Sequence, residues 1–141
     1  MAEALLKHYV DVSANHAQGE NWSIASAGCW AYPGMAATSR AVSAAENLGG
    51  DLIDHSAQSV NADLLNQFNL ILCMEQGHID FINRHFPEAA NKVFLLTAMV
   101  NEDDDIDDPV GKSQSDYDQT ASQILTIIRN GWERIKDLSQ N

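Results

Sequence analysis

The stretch Phe68-Asn69-Leu70-Ile71-Leu72-Cys73-Met74 is nearly continuous in apolar residues and stops at a carboxylate, Glu75. A strand apolar on both faces has to be covered on both faces, which is the situation of a parallel sheet lying between two layers of helices. The rest of the chain fits the same requirement. Val93-Phe94-Leu95-Leu96 reads as a second short buried strand, and helical patterns lie before, between and after the two. Alternating helices and strands imply right-handed crossovers and an α/β fold of three layers. In such sheets the functional site lies beyond the carboxyl ends of the strands.

Taken in order, the chain opens on helical spacing, with Ala2, Leu5, Leu6, Tyr9 and Val10 on one face and no Ser, Thr, Asp or Asn ahead of them as a cap. An uncapped helix at the first residue reads as one separated from what should precede it. Trp22-Ser23-Ile24-Ala25-Ser26 alternates like a half-buried strand and ends at Ala27-Gly28. A loop rich in rings and turn formers, Cys29 to Gly34, leads into a helix expected over Met35 to Leu48 and closed by Gly49-Gly50. A short helix is expected near Asn61–Gln67 and another from Gly77 to His85, ended by Phe86-Pro87. The last is a single long helix bearing Ala121, Leu125, Ile128, Trp132 and Ile135 on its buried face, with Ser115-Asp116-Tyr117-Asp118 as its capping box. There is no internal repeat and no linker, so one domain over residues 1–141 is expected.

The segment Glu102–Asp108 holds six acids and runs into Pro109-Val110-Gly111. Pro fixes the backbone just after a carboxylate, and Gly lets the chain turn two residues on. That arrangement holds one acid in a set direction on an otherwise mobile loop, as a proton donor to a leaving group requires.

Eight basic residues against twenty acidic ones give a net charge of −12. No basic patch stands out, so broad binding to nucleic acid or to an anionic membrane is disfavoured, while a single phosphate site is not. The opening residues lack the layout of a secretory signal, and no apolar run is long enough to span a bilayer, so a cytoplasmic location is expected. Two cysteines make no disulfide framework. The chain has no Walker loop, dinucleotide fingerprint or nucleophile elbow. His78 and His85 are seven apart with no acid motif for zinc, and the acidic run fails the calcium-loop pattern at Asp108 and Gln114. A thiolate phosphatase needs an Arg six residues after its Cys. Met35 follows Cys29 at that distance and Ile79 follows Cys73.

The order of these pieces nonetheless resembles the low-molecular-weight protein tyrosine phosphatases and their thiol-dependent arsenate reductase relatives. The resemblance rests on Met1-Ala2-Glu3, Ser26-Ala27-Gly28 with Trp30 and Tyr32, Arg40, Gly50-Asp51-Leu52 through His55 and Ala57, Leu70 to Glu75, Asp108-Pro109, Gly111 and Asp116-Tyr117. It implies that Asp108, ahead of its neighbour Asp107, is the general acid that protonates the tyrosyl oxygen. It implies that Trp30 and Tyr32 line the mouth of the site, with Val110 beside them where many members carry an aromatic. Ser26 and His55 would stiffen the phosphate-binding loop, with Glu75 also in support. Gln58 stands where the family commonly has Arg.

In the family, the segment before Met-Ala-Glu is a central strand ending in a Cys-x5-Arg-Ser-Pro loop. That strand and the nucleophile it carries are expected to be missing here, leaving strand edges open to self-association. The resemblance implies hydrolysis of aryl phosphate monoesters, phosphotyrosine foremost, through a cysteinyl-phosphate, with no metal or other cofactor. Two other readings stand beside it: a non-catalytic interaction module of the same fold, and arsenate reduction. The latter needs further cysteines, and residues 75–100 contain none.

Overall fold

The computed structural model describes residues 1–12 and 21–140. Its centre is a pair of short parallel strands, β1 (Ile71–Cys73) and β2 (Val93–Leu95), in the register Ile71↔Val93, Leu72↔Phe94 and Cys73↔Leu95. Side chains alternate across a strand, so each face of the pair meets a different helical layer. Cys73 and Val93 pack with Leu65, Ile82 and Ala89, residues of α3 (Ala62–Asn66), α4 (Gln76–His85) and the 3-10 turn Pro87–Lys92. Leu72 and Phe94 face the larger core, built on α1 (Ala2–Val12), α2 (Ser39–Glu46), α5 (Gln114–Asn130) and α6 (Trp132–Ser139). This is the expected α/β architecture of three layers, with a parallel sheet between helices.

Most elements follow directly from their residues. The face Ala121, Leu125, Ile128, Trp132 and Ile135 is buried as its spacing required. Asn61 caps α3 by accepting the Leu64 N–H at 2.9 Å. Gly49 stops the chain after α2 with φ of 91°, a conformation that favours glycine.

Five expectations are corrected. Trp22–Ser26 is not a strand: burial alternates along residues 21–27 as a strand's would, but no ladder partner lies beside it among the described residues. Only Gly28 bridges, to Ser59. The helix expected from Met35 begins instead at Ser39. Ala36 is used in an antiparallel bridge to Ser56, and Thr38 supplies the cap by accepting the Ala41 N–H at 3.2 Å. The final helix is two helices, because Gly131 sits where the 3-10 turn Leu96–Val100 presses closest. A Cβ there would stand 2.7 Å from Met99 Cβ and 2.9 Å from its carbonyl oxygen. The capping box of α5 is Ser113 with Asp116, two residues earlier than expected, and Asp116 Oδ2 accepts from the Ser113 hydroxyl at 2.8 Å.

The acidic segment is also not a mobile loop. Ile106, 2% exposed, is inserted in the main core, and its N–H donates to the Met74 carbonyl at 2.8 Å. The Thr97 hydroxyl donates to the Asp104 carbonyl at 2.8 Å, and Asp105 Oδ1 accepts the Gln76 N–H at the start of α4, also at 2.8 Å. The six carboxylates thus project from a backbone anchored to the carboxyl end of β1.

Candidate active site

Three segments converge at the carboxyl ends of the strands and the amino end of α1. In α1, Leu5 N–H donates to the Met1 carbonyl at 3.0 Å, the first bond of the helix, so the amides of residues 2–4 have no partner within it. Burial lowers the affinity of the Met1 α-amino group for its proton, opposed by the carboxylates of Glu3 and Asp108.

Glu3 is the hub of a compact polar cluster. Lys7 Nζ donates to Glu3 Oε1 at 2.6 Å, the Ser26 hydroxyl donates to Oε2, and His55 Nδ1 lies 3.7 Å from Oε2. Burial pushes the Glu3 carboxyl up. The hydrogen bonds from Lys7 and Ser26, with the charges of Lys7 and His55, outweigh that and hold it below its ordinary range. Gln58 continues the cluster by donating Nε2–H to the Ser26 carbonyl at 2.9 Å. These residues line a cleft of about 300 Å³ that also takes in Asp51 and Asp54. Ser26 and His55 are thus brought to the same Glu3 carboxylate oxygen. Glu3, which joins them, carried a visible signal in the sequence, since it is an acid in the first turn of a helix directly before the buried pair Ala4 and Leu5.

Asp108 is exposed. Its Oδ1 accepts the Val110 N–H at 3.0 Å across the buried Pro109, and Gly111 turns away with φ of 77°. One carboxylate oxygen is thereby fixed. Arg40 of α2 ties down the far side of this turn, its guanidinium donating to the Lys112 carbonyl at 2.5 Å while Gln114 returns a bond to the Arg40 carbonyl at 3.1 Å.

Trp30 and Tyr32 stand out from the surface, 70% and 76% exposed, and Val110 is 63% exposed. Glu75 lies elsewhere in the arrangement. It is the N-cap residue of α4, paired with His78, whose Nδ1 accepts the Glu75 N–H at 3.3 Å. The structure does not bring it into the Glu3 cluster. Burial pushes the thiols of Cys29 and Cys73 up, Cys73 to about 12, where the thiol stays protonated at neutral pH. Neither thiol is set up as a nucleophile. Among the described residues, no group of three His, Cys, Asp or Glu is placed to hold a metal ion, and no helix is long and apolar enough to cross a membrane.

The fold and site together give an α/β protein with a parallel sheet between helices, unpartnered amides at the amino end of α1, and a carboxylate, Asp108, fixed on its own turn. Known proteins of this kind match it closely. The model of the family described as low molecular weight phosphotyrosine protein phosphatase matches residues 1–141. The low molecular weight protein-tyrosine-phosphatase Ptp of Acinetobacter johnsonii is 33% identical over 135 residues, covering 96% of this chain and 87% of that protein. A protein-arginine-phosphatase of Bacillus subtilis is 31% identical over 137 residues, with the same shares covered. The crystal structure of a low molecular weight protein tyrosine phosphatase from T. tengcongensis superposes with a TM-score of 0.84 at 30% identity, covering 94% of this chain and 88% of that one. The chain belongs to the low molecular weight phosphotyrosine protein phosphatase family.

Proposed function

We propose that this chain forms the acid, mouth and loop-supporting parts of a phosphatase that hydrolyses aryl phosphate monoesters, phosphotyrosine in proteins foremost. The observation that carries the reading is the Asp108 carboxylate fixed on its turn by the Val110 N–H, its charge acting on the amino end of α1. A phosphoryl group at that helix end is favoured by unpaired amides and by the helix dipole. Asp108 then stands at the leaving-group side, where it protonates the departing phenolate and afterwards takes a proton from the attacking water. Trp30 and Tyr32 offer ring surface for the substrate's aromatic group. Ser26 and His55, joined through Glu3, brace the loop that would cradle the phosphate.

The family reaction needs a thiolate nucleophile and an Arg six residues after it, and no Cys-x5-Arg run occurs among these 141 residues. A test of the reading therefore adds that pair to the chain. The test is turnover of phenyl phosphate and phosphotyrosine by the 141-residue chain and by the same chain extended ahead of Met1 with a strand and a Cys-x5-Arg-Ser-Pro loop. The reading expects vanadate-sensitive turnover in the extended protein only. Silence in both would favour a non-catalytic interaction module.

A second reading, dephosphorylation of phosphoarginine, is favoured by the match to the B. subtilis protein-arginine-phosphatase. Comparing phosphoarginine with phosphotyrosine in the extended protein decides between them.

A further inference from the structure

Trp30 is exposed, and an exposed indole on a loop ordinarily samples several rotamers. Here it leans on α4, an element outside its own loop. Its ring lies edge-on to Phe81 with centroids 5.3 Å apart, and tilted against His78 at 6.3 Å. Phe81 is itself held from both sides. It packs on the core formed by Leu65, Cys73 and Ile82, and its outer side meets His85 with centroids 4.4 Å apart. His78 is fixed by the Glu75 N–H at the amino end of the same helix. No other ring contact of the described residues reaches the loop Cys29–Gly34.

We infer that Phe81 is a positioning residue for substrate recognition: it wedges between the core and Trp30 and holds the indole as a rigid wall of the site before substrate arrives. The inference rests on the reading of the site as an aryl phosphatase and deepens it by naming what fixes substrate preference. A wall already in place loses no rotamer freedom when an aromatic substrate ring packs on it. A free indole has to be ordered at that moment, at about 0.5–1.5 kcal/mol per side chain, which corresponds to roughly a twofold to tenfold loss of affinity. Val110 supplies no ring, and among the described residues no ring contact holds Tyr32, so Trp30 is the ring wall fixed before a planar substrate arrives. The step concerns binding and leaves the proton transfer from Asp108 untouched.

The chain labelled with 5-fluorotryptophan gives one fluorine resonance each for Trp22, Trp30 and Trp132, with Trp30 assigned through Trp30→Phe. The inference expects a fluorine–proton Overhauser contact between Trp30 and the Phe81 ring in the unsubstituted chain. In Phe81→Leu, the Trp30 line should narrow and move to the position of a solvent-exposed fluorotryptophan while the other two stay, and Phe81→Tyr should restore it. Absence of the Overhauser contact, or a Trp30 line unchanged by Phe81→Leu, overturns the inference. In the extended, catalytically assembled protein, Phe81→Leu should raise KM for a phosphotyrosine peptide about twofold to tenfold at unchanged kcat. Turnover with KM unchanged overturns the recognition role. Absence of turnover in the unsubstituted extended protein instead defeats the phosphatase reading, and the fluorine spectra still decide the packing of Trp30.

Discussion

Glu3 accepts from Lys7 and Ser26 and faces His55, so replacing it with Ala unpairs three groups at once. The contributions differ. Lys7 is half exposed and four residues away on the same helix, a pair worth about 0.3–0.5 kcal/mol. The Ser26 hydroxyl and the His55 ring are partly buried, and a hydrogen bond to a charged group there contributes about 1.5–3 kcal/mol. Glu3→Ala should therefore cost about 2–3 kcal/mol, or about 7–10 °C of Tm for a chain of this length. Urea unfolding followed by circular dichroism measures it. Because the Glu3 carboxyl is held below its ordinary value of 4.5, its contribution is present above that pH and is lost as pH falls through its folded-state pKa. Glu3→Gln should flatten the acid limb of the stability curve below about pH 5. A double-mutant cycle with Ser26→Ala should give an interaction energy of about 1 kcal/mol or more. A Glu3→Ala cost under about 0.5 kcal/mol, or additivity with Ser26→Ala, would refute the cluster as the brace of this site.

Ile106→Ala should cost about 2–5 kcal/mol in the same unfolding assay, because it empties a fully buried position in the main core; a mobile acidic loop would leave stability unchanged. Gly131→Ala should destabilise by about 1–3 kcal/mol, since the added methyl meets Met99 backbone and side chain rather than solvent. Cys73, with its thiol pushed up to about 12 by burial, should resist iodoacetamide at neutral pH until denaturant is added, as read by mass spectrometry of the alkylated peptides.

The helical faces and the buried strands were legible because burial imposes a period on the sequence. Ile128, Trp132 and Ile135 recur in phase, and that same phase hid the break at Gly131. The helical spacing runs straight across it, and only the pressure of Met99 from another element shows why a residue without a Cβ is needed. Ile106 was invisible for the opposite reason. One apolar residue among six acids has no period, and its burial is decided by the Met74 carbonyl and the core beneath. Trp22–Ser26 shows that alternation reports which side chains are covered, whereas a ladder needs a neighbouring backbone that the segment's own residues do not encode. Within the site, Ser26 and His55 were recognisable one by one through family resemblance. That Glu3 joins them, and that Glu75 caps α4 instead, depends on contacts 23 residues apart in one case and on local helix capping in the other.

The central claim is that Asp108 protonates an aryl leaving group, and the most direct test compares two leaving groups in the extended protein. Phenyl phosphate releases a basic phenolate that needs a proton, while p-nitrophenyl phosphate releases one that departs unaided. Asp108→Asn should lower kcat/KM, which reports the leaving-group step alone, by about 10²–10⁴-fold for phenyl phosphate and far less for p-nitrophenyl phosphate. An equal loss on both substrates, or none on either, would contradict the assignment.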